Sequence, residues 1–130
     1  MTPELMMLLY SAVLLLVIIL LQAGLAIAQN GLVAQAGSRD SLPEPSLLRA
    51  RLLRLSANMQ ENLVMFTIVV LVANAAGVSN ETTVLGASIF FYARLAHAVI
   101  YAFGWPMIRP LFYFVSLYGM IIIALEVLKS

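Results

Sequence analysis

Three sets of polar residues recur at helical spacing inside otherwise apolar stretches of this chain. They are Arg51, Arg54, Asn58 and Glu61; then Arg94, His97 and Tyr101; then Arg109, Tyr113 and Ser116. At about 3.6 residues per turn each set falls on one helix face. Arginine clamps carboxylates in bidentate fashion, and asparagine, histidine and tyrosine add hydrogen bonds, so together these groups suit an anionic small molecule. An arginine beside a bound thiol favours the thiolate, which is the reactive form. Other chemistry finds no support. With no cysteine and one histidine there is no recognisable metal-ligand set, and the chain holds neither a serine–histidine–acid arrangement nor a phosphate-binding glycine loop.

The segments that carry these residues are membrane-like. Of 130 residues, 63% are hydrophobic and 10% charged, against about 25% charged in an ordinary soluble domain. Mean hydropathy is +1.02. The pattern predicts an all-α, integral membrane four-helix bundle forming a single domain over 1–130, with spans at 5–28, 47–77, 82–103 and 107–128. Ala26-Ile27-Ala28 has the small-residue pattern of a signal-peptidase site. No Lys or Arg precedes the apolar run and the run is long, so the first span reads as a retained helix, with Glu4 lying ahead of it.

Residues 30–45, with two glycines, two prolines and mixed charge, read as a polar loop. Ser46 and Asn80 stand where N-caps are needed, Gly77 where a helix must stop, and Gly104-Trp105-Pro106 reads as a tight turn with an interfacial tryptophan. The second span would run about 45 Å, longer than a hydrocarbon core of about 30 Å, so its first turns project into the interface. Arg39, Arg49, Arg51, Arg54 and Arg109 gather at one side and Lys129 at the other. The positive-inside rule then puts the first and third loops in the cytoplasm and both termini outside. Arg39 and Arg49 read as topology determinants. A net charge of +1 gives no attraction to nucleic acid.

A charge at mid-bilayer costs about 2.5–3.5 kcal/mol on insertion scales, so the stripes must face protein or a wet cavity, and all three lie toward the same ends of their helices. By depth they can converge on one pocket. Structural readings stand beside this. Arg54 and Glu61 could neutralise each other, His97 could be a satisfied hydrogen-bonding residue, and Tyr101, Tyr113 and Tyr118 could be interfacial aromatics. Asn74, on the far face of its helix, reads as a hydrogen bond between helices, and Met59 and Met65 as packing.

Arg54, Asn58 and Glu61 form R-x-x-x-N-x-x-E, and ARLAHAVIYAFGWPMIR contains R-x-x-H-x-x-x-Y followed by a loop and an arginine. Both resemble segments of the MAPEG family, membrane-associated proteins of eicosanoid and glutathione metabolism. The resemblance covers nearly the whole chain, and the short length and compact loops are similar to bacterial members, whose setting is the inner membrane. It implies a homotrimer that binds glutathione between subunits near the cytoplasmic side. It assigns glutathione contacts to Arg54, Asn58, Glu61, His97, Tyr101, Arg109 and Tyr113, makes Arg109 the thiolate-stabilising, catalytic residue, and gives Arg94 a more structural role. Ala57 and Asn62 stand where family branches carry arginine and tyrosine, and Gln29 and Asn30 where eukaryotic enzymes supply a basic residue.

The function expected is a glutathione transferase or peroxidase acting on lipophilic electrophiles that arrive through membrane lipid. The alternative is a non-catalytic binding or scaffold protein of the same fold. A small multidrug exporter would need an acid deep in the first span, which has none. A purely structural bundle would bind no ligand at all.

Overall fold

Each helix begins where a side chain can accept from its first free N–H groups. Thr2 accepts from the Leu5 N–H ahead of α1 (Pro3–Asn30), and Ser46 from the Arg49 N–H ahead of α3 (Leu47–Ala75). Asn80 and Thr83 exchange bonds reciprocally at the start of α4 (Glu81–Phe103). A short α2 (Leu32–Ala36) follows Gly31, and α5 spans Arg109–Lys129. The structure is a computed structural model and describes residues 1–40, 42–104 and 109–130. Trp105, Pro106 and the expected start of the fourth span at Met107 lie outside the described residues.

Helix α3 stops at a left-handed glycine. Gly77 has φ 71°, and its N–H donates to the Asn74 carbonyl at 3.2 Å while the Val78 N–H reaches the Ala73 carbonyl at 2.9 Å. A residue with a Cβ would be strained in that conformation.

Four helices, α1, α3, α4 and α5, are long and apolar enough to cross a membrane, and the described residues contain no strand. The chain is therefore an all-helical, multi-pass membrane bundle. In cross-section α3 and α4 touch each other and both outer helices, whereas α1 and α5 sit at opposite corners without contact among the described residues. Side-chain bonds define the two ends. At one, Ser79 and Thr83 donate to Glu4, and Asn80 donates to Glu126. At the other, Gln29 Nε2 donates to the Glu44 carbonyl and Arg54 Nε to the Tyr101 hydroxyl.

Packing is tightest where α4 meets α5. A Cβ built on either Gly86 or Gly119 would lie 2.5 Å from the other's carbonyl oxygen, so the two backbones touch. In lipid, where apolar tails compete with apolar side chains, such close approach is a main source of helix association. Phe66 and Phe90 stack at 3.9 Å between ring centres and are fully buried, fixing α3 against α4. Outward faces are apolar instead of polar: Leu111, Phe114, Tyr118, Ile121 and Leu125 are all exposed along α5, a stripe suited to lipid or to another protein surface.

Two features depart from the sequence reading. Residues 30–45 are not all loop, because Leu32-Val33-Ala34 are compatible with a turn of helix once Gly31 has broken α1. Glu4 is not ahead of the first helix but inside its first turn and 3% exposed. Its carboxylate accepts from Thr83 Oγ1 at 2.9 Å and from Ser79 Oγ at 3.1 Å, which ties the start of α1 to the α3–α4 turn.

Candidate functional site

The polar faces of α3, α4 and α5 meet at the end of the bundle that holds the Arg54–Tyr101 bond. An open cleft of about 450 Å³ there is lined by Arg54, Asn58, His97, Tyr101, Arg109, Pro110, Tyr113 and Phe114. Each helix contributes from its own register: Arg54 and Asn58 one turn apart on α3, His97 and Tyr101 one turn apart on α4, Arg109 and Tyr113 on the first turns of α5.

Cross-helix bonds fix these groups. Arg54 Nε donates to Tyr101 Oη at 3.0 Å, so the hydroxyl is used as an acceptor and keeps its own proton to donate. The Arg109 guanidinium lies 4.8 Å from the centre of the same Tyr101 ring, a cation–π contact that leaves its N–H groups unused by the ring plane. His97 sits between Tyr101 and Tyr113, with ring centres at 5.7 and 6.4 Å. Ser116, the third residue of the α5 stripe, is buried and donates to the Tyr113 carbonyl at 2.7 Å. It supports the helix without entering the cleft.

Behind the cleft lies Arg94, 1% exposed. Its Nη2 donates to Asn58 Oδ1 at 2.6 Å and its Nε to Met59 Sδ at 3.3 Å. Its Nη1, and Nδ1 of His97, are buried without a hydrogen-bond partner among the described residues. Met59 is thus both packing and an acceptor, and His97 is not the satisfied core histidine of the structural reading. Because an arginine can only donate, Asn58 must turn its oxygen inward, and its Nδ2 is left as a donor with no protein partner among the described residues. Donors therefore dominate the polar lining: guanidinium N–H groups, an amide NH₂ and tyrosine hydroxyls. That lining fits a ligand rich in carboxylate and carbonyl oxygens.

Glu61 is the expected site residue that the cleft does not include. It is exposed on α3 one turn deeper and forms no ion pair with Arg54 or with any described residue. Asn62 turns the other way: it is buried, and its Nδ2 donates to the Asn58 carbonyl at 2.8 Å. Arg51 stands at the rim, its guanidinium packed on Gly104, where a Cβ would come within 2.7 Å. Asn74, expected to bond between helices, makes no side-chain hydrogen bond among the described residues and instead lines a hollow at the far end beside Glu4. Pro110 and Phe114 were not expected in the lining. Phe114 follows Tyr113 by one residue, and only the crossing of α4 and α5 shows that it borders the opening. No group of three or more His, Asp or Glu able to hold a metal ion occurs among the described residues.

No curated protein and no solved structure matches the chain at a significant level. A family model does, across residues 7–129. It covers all four long helices almost end to end, the cleft included. The chain belongs to the MAPEG family.

Proposed function

We propose that this protein binds glutathione in the α3–α4–α5 cleft and uses it as co-substrate, as a transferase or peroxidase for lipophilic electrophiles. The observation that carries this reading is the donor-rich lining formed by Arg54, Asn58, Tyr101, Arg109 and Tyr113. Glutathione offers two carboxylates and two peptide carbonyls to such a surface. The cleft opens beside exposed apolar Phe114, which gives a lipid-borne electrophile a route to the thiol.

In this reading Arg109 holds the glutathione sulfur as thiolate. For transfer, the sulfur lone pair forms the new carbon–sulfur bond and the leaving group departs with its electron pair. For peroxide reduction, the sulfur takes the distal oxygen, an alcohol leaves, and a second glutathione gives disulfide and water.

A homotrimer goes with this function. Glu61 and Gln60 are exposed near the middle of α3, at a depth where a lipid-facing carboxylate is costly, so a neighbouring subunit covering that face resolves the anomaly. The site lies on the arginine-rich side, cytoplasmic by the positive-inside rule, with both termini outside; in a bacterial cell the membrane is the inner one.

A non-catalytic binding protein is the second reading, favoured by the position of Asn62. It bonds back to its own helix and brings no hydroxyl toward the ligand. Isothermal titration of purified protein with glutathione tests the first claim. Binding weakened strongly in Arg109→Ala and less in Asn58→Ala is the expected result; no binding to the wild type at millimolar glutathione overturns it. Turnover of a panel of electrophiles then separates enzyme from scaffold.

A further inference from the structure

A second basic hollow, of about 340 Å³, lies between α1, α2 and α3, away from the cleft. Its polar lining is Gln22, Gln35, Arg39 and Arg49. Both arginines are anchored through Nε alone: Arg49 donates to Gln22 Oε1 at 3.0 Å, and Arg39 to the Gln35 carbonyl at 2.7 Å, at the C-terminal end of α2. Arg39 holds this pose with φ 70°, the one non-glycine residue at positive φ among those described. The terminal nitrogens of both guanidiniums have no partner among the described residues, and neither Asp40 nor Glu44 forms an ion pair with them.

The glutamines point the same way chemically. Gln22 Oε1 is taken by Arg49, and Gln35 Oε1 accepts from Asn30 Nδ2 at 3.0 Å, so what each amide has left to give is its NH₂. Two guanidinium forks and two amide donors, with no carboxylate in the lining, make a receptor for a phosphate group. The neighbouring surface says which phosphate. Leu32 and Val33 on α2 are 66% and 87% exposed, at the end of α1 where the apolar span meets the interface. Apolar side chains left bare beside a phosphate receptor suit acyl chains, not water.

We propose that this hollow seats the headgroup phosphate of an anionic phospholipid, with α2 lying among the acyl chains. Arg39 and Arg49 thereby read lipid charge in addition to setting topology. The test is native mass spectrometry of the purified protein in neutral detergent, titrated with phosphatidylglycerol or with phosphatidylcholine. Phosphatidylglycerol stays bound at activation energies that strip phosphatidylcholine. Arg39→Gln and Arg49→Gln each lower phosphatidylglycerol occupancy about five-fold, and Lys129→Gln at the opposite end does not. Equal retention of the two lipids, a preference that survives in the double variant, or an equal loss in Lys129→Gln overturns the proposal. Displacement by soluble glycerol phosphate at the same concentration assigns the hollow to free phosphate and overturns the lipid source. Circular dichroism of each variant reports that the helices are intact.

Discussion

Arg94 and Asn58 are joined by a 2.6 Å bond that runs from a buried cation to an amide on the wall of the cleft. The partners of Arg94 are an amide oxygen and a thioether sulfur, with no carboxylate among the described residues within ion-pair distance. A buried charge held only by neutral groups is expensive, and its replacement by an apolar chain of similar length is commonly neutral or stabilising. What the arginine does supply is orientation, because it forces Asn58 to present Nδ2.

Arg94→Met is therefore expected to leave the thermal midpoint in detergent unchanged or higher, while glutathione binding weakens about ten-fold, the worth of one well-aligned bond to a charged group. Asn58→Ala weakens binding to a similar degree, and the double variant is no worse than either alone, since both break one chain of contacts. Calorimetric titration of the three proteins reads this directly. Additive losses would mean that Arg94 acts on the ligand by itself.

The Arg54–Tyr101 bond makes a similar case on the other wall. Tyr101→Phe removes the hydroxyl that accepts from Arg54 Nε at 3.0 Å but keeps the ring under Arg109. Glutathione affinity falls about three- to ten-fold and the thermal midpoint barely moves, because this contact is exposed to water. Tyr101→Leu, which also removes the ring, falls further. Equal affinity in Phe and Leu variants would assign the effect to the hydroxyl alone.

Gly86 and Gly119 hold α4 against α5. A methyl group at either position meets a backbone carbonyl oxygen at 2.5 Å, and backbone cannot rotate away as a side chain can. Gly86→Ala and Gly119→Ala each cost about 1–3 kcal/mol, seen as a lower thermal midpoint in detergent. Alanine at Gly24, where nothing lies within 4 Å, leaves the midpoint within error.

These examples show what the sequence made legible. Helical period places Arg54 with Asn58, His97 with Tyr101 and Arg109 with Tyr113, because a single helix fixes which residues share a face. Convergence of the three faces followed from depth, since isolated polar groups in lipid are costly. Period says nothing of how one helix is rotated against the next. The Arg94–Asn58 bond, the entry of Phe114 and the absence of Glu61 from the cleft are all properties of helix crossing. Gly86 and Gly119 look like any two glycines until their backbones are seen in contact. Glu4 read only as an acid ahead of the first span because its partners, Ser79 and Thr83, are more than seventy positions away in the chain.

That distant pairing has a consequence for stability. Glu4→Ala takes the acceptor from the Ser79 hydroxyl, leaves Thr83 only the Asn80 carbonyl of its own turn, and frees the start of α1, so the thermal midpoint falls; Glu4→Gln, which still accepts, falls less. Glutathione affinity stays at the wild-type value in both, because the cleft is at the opposite end of the bundle. A change in affinity would show that the two ends are coupled through α4.

Arg109 carries the last prediction, which concerns charge. A guanidinium beside the glutathione sulfur stabilises thiolate, so the bound thiol titrates below the pH at which the free thiol does. Arg109→Ala removes that positive charge, and the thiol of whatever glutathione remains bound titrates at higher pH. The ultraviolet absorbance of the thiolate, followed against pH with glutathione in excess, is displaced upward, and any pH-dependent rise in turnover moves with it. Arg109→Lys keeps the charge but lacks the planar group that stacks on Tyr101, so it recovers part of the displacement and little of the affinity. A thiolate titration that is the same in wild type and Arg109→Ala would take the sulfur away from Arg109 and leave the arginine as a carboxylate clamp.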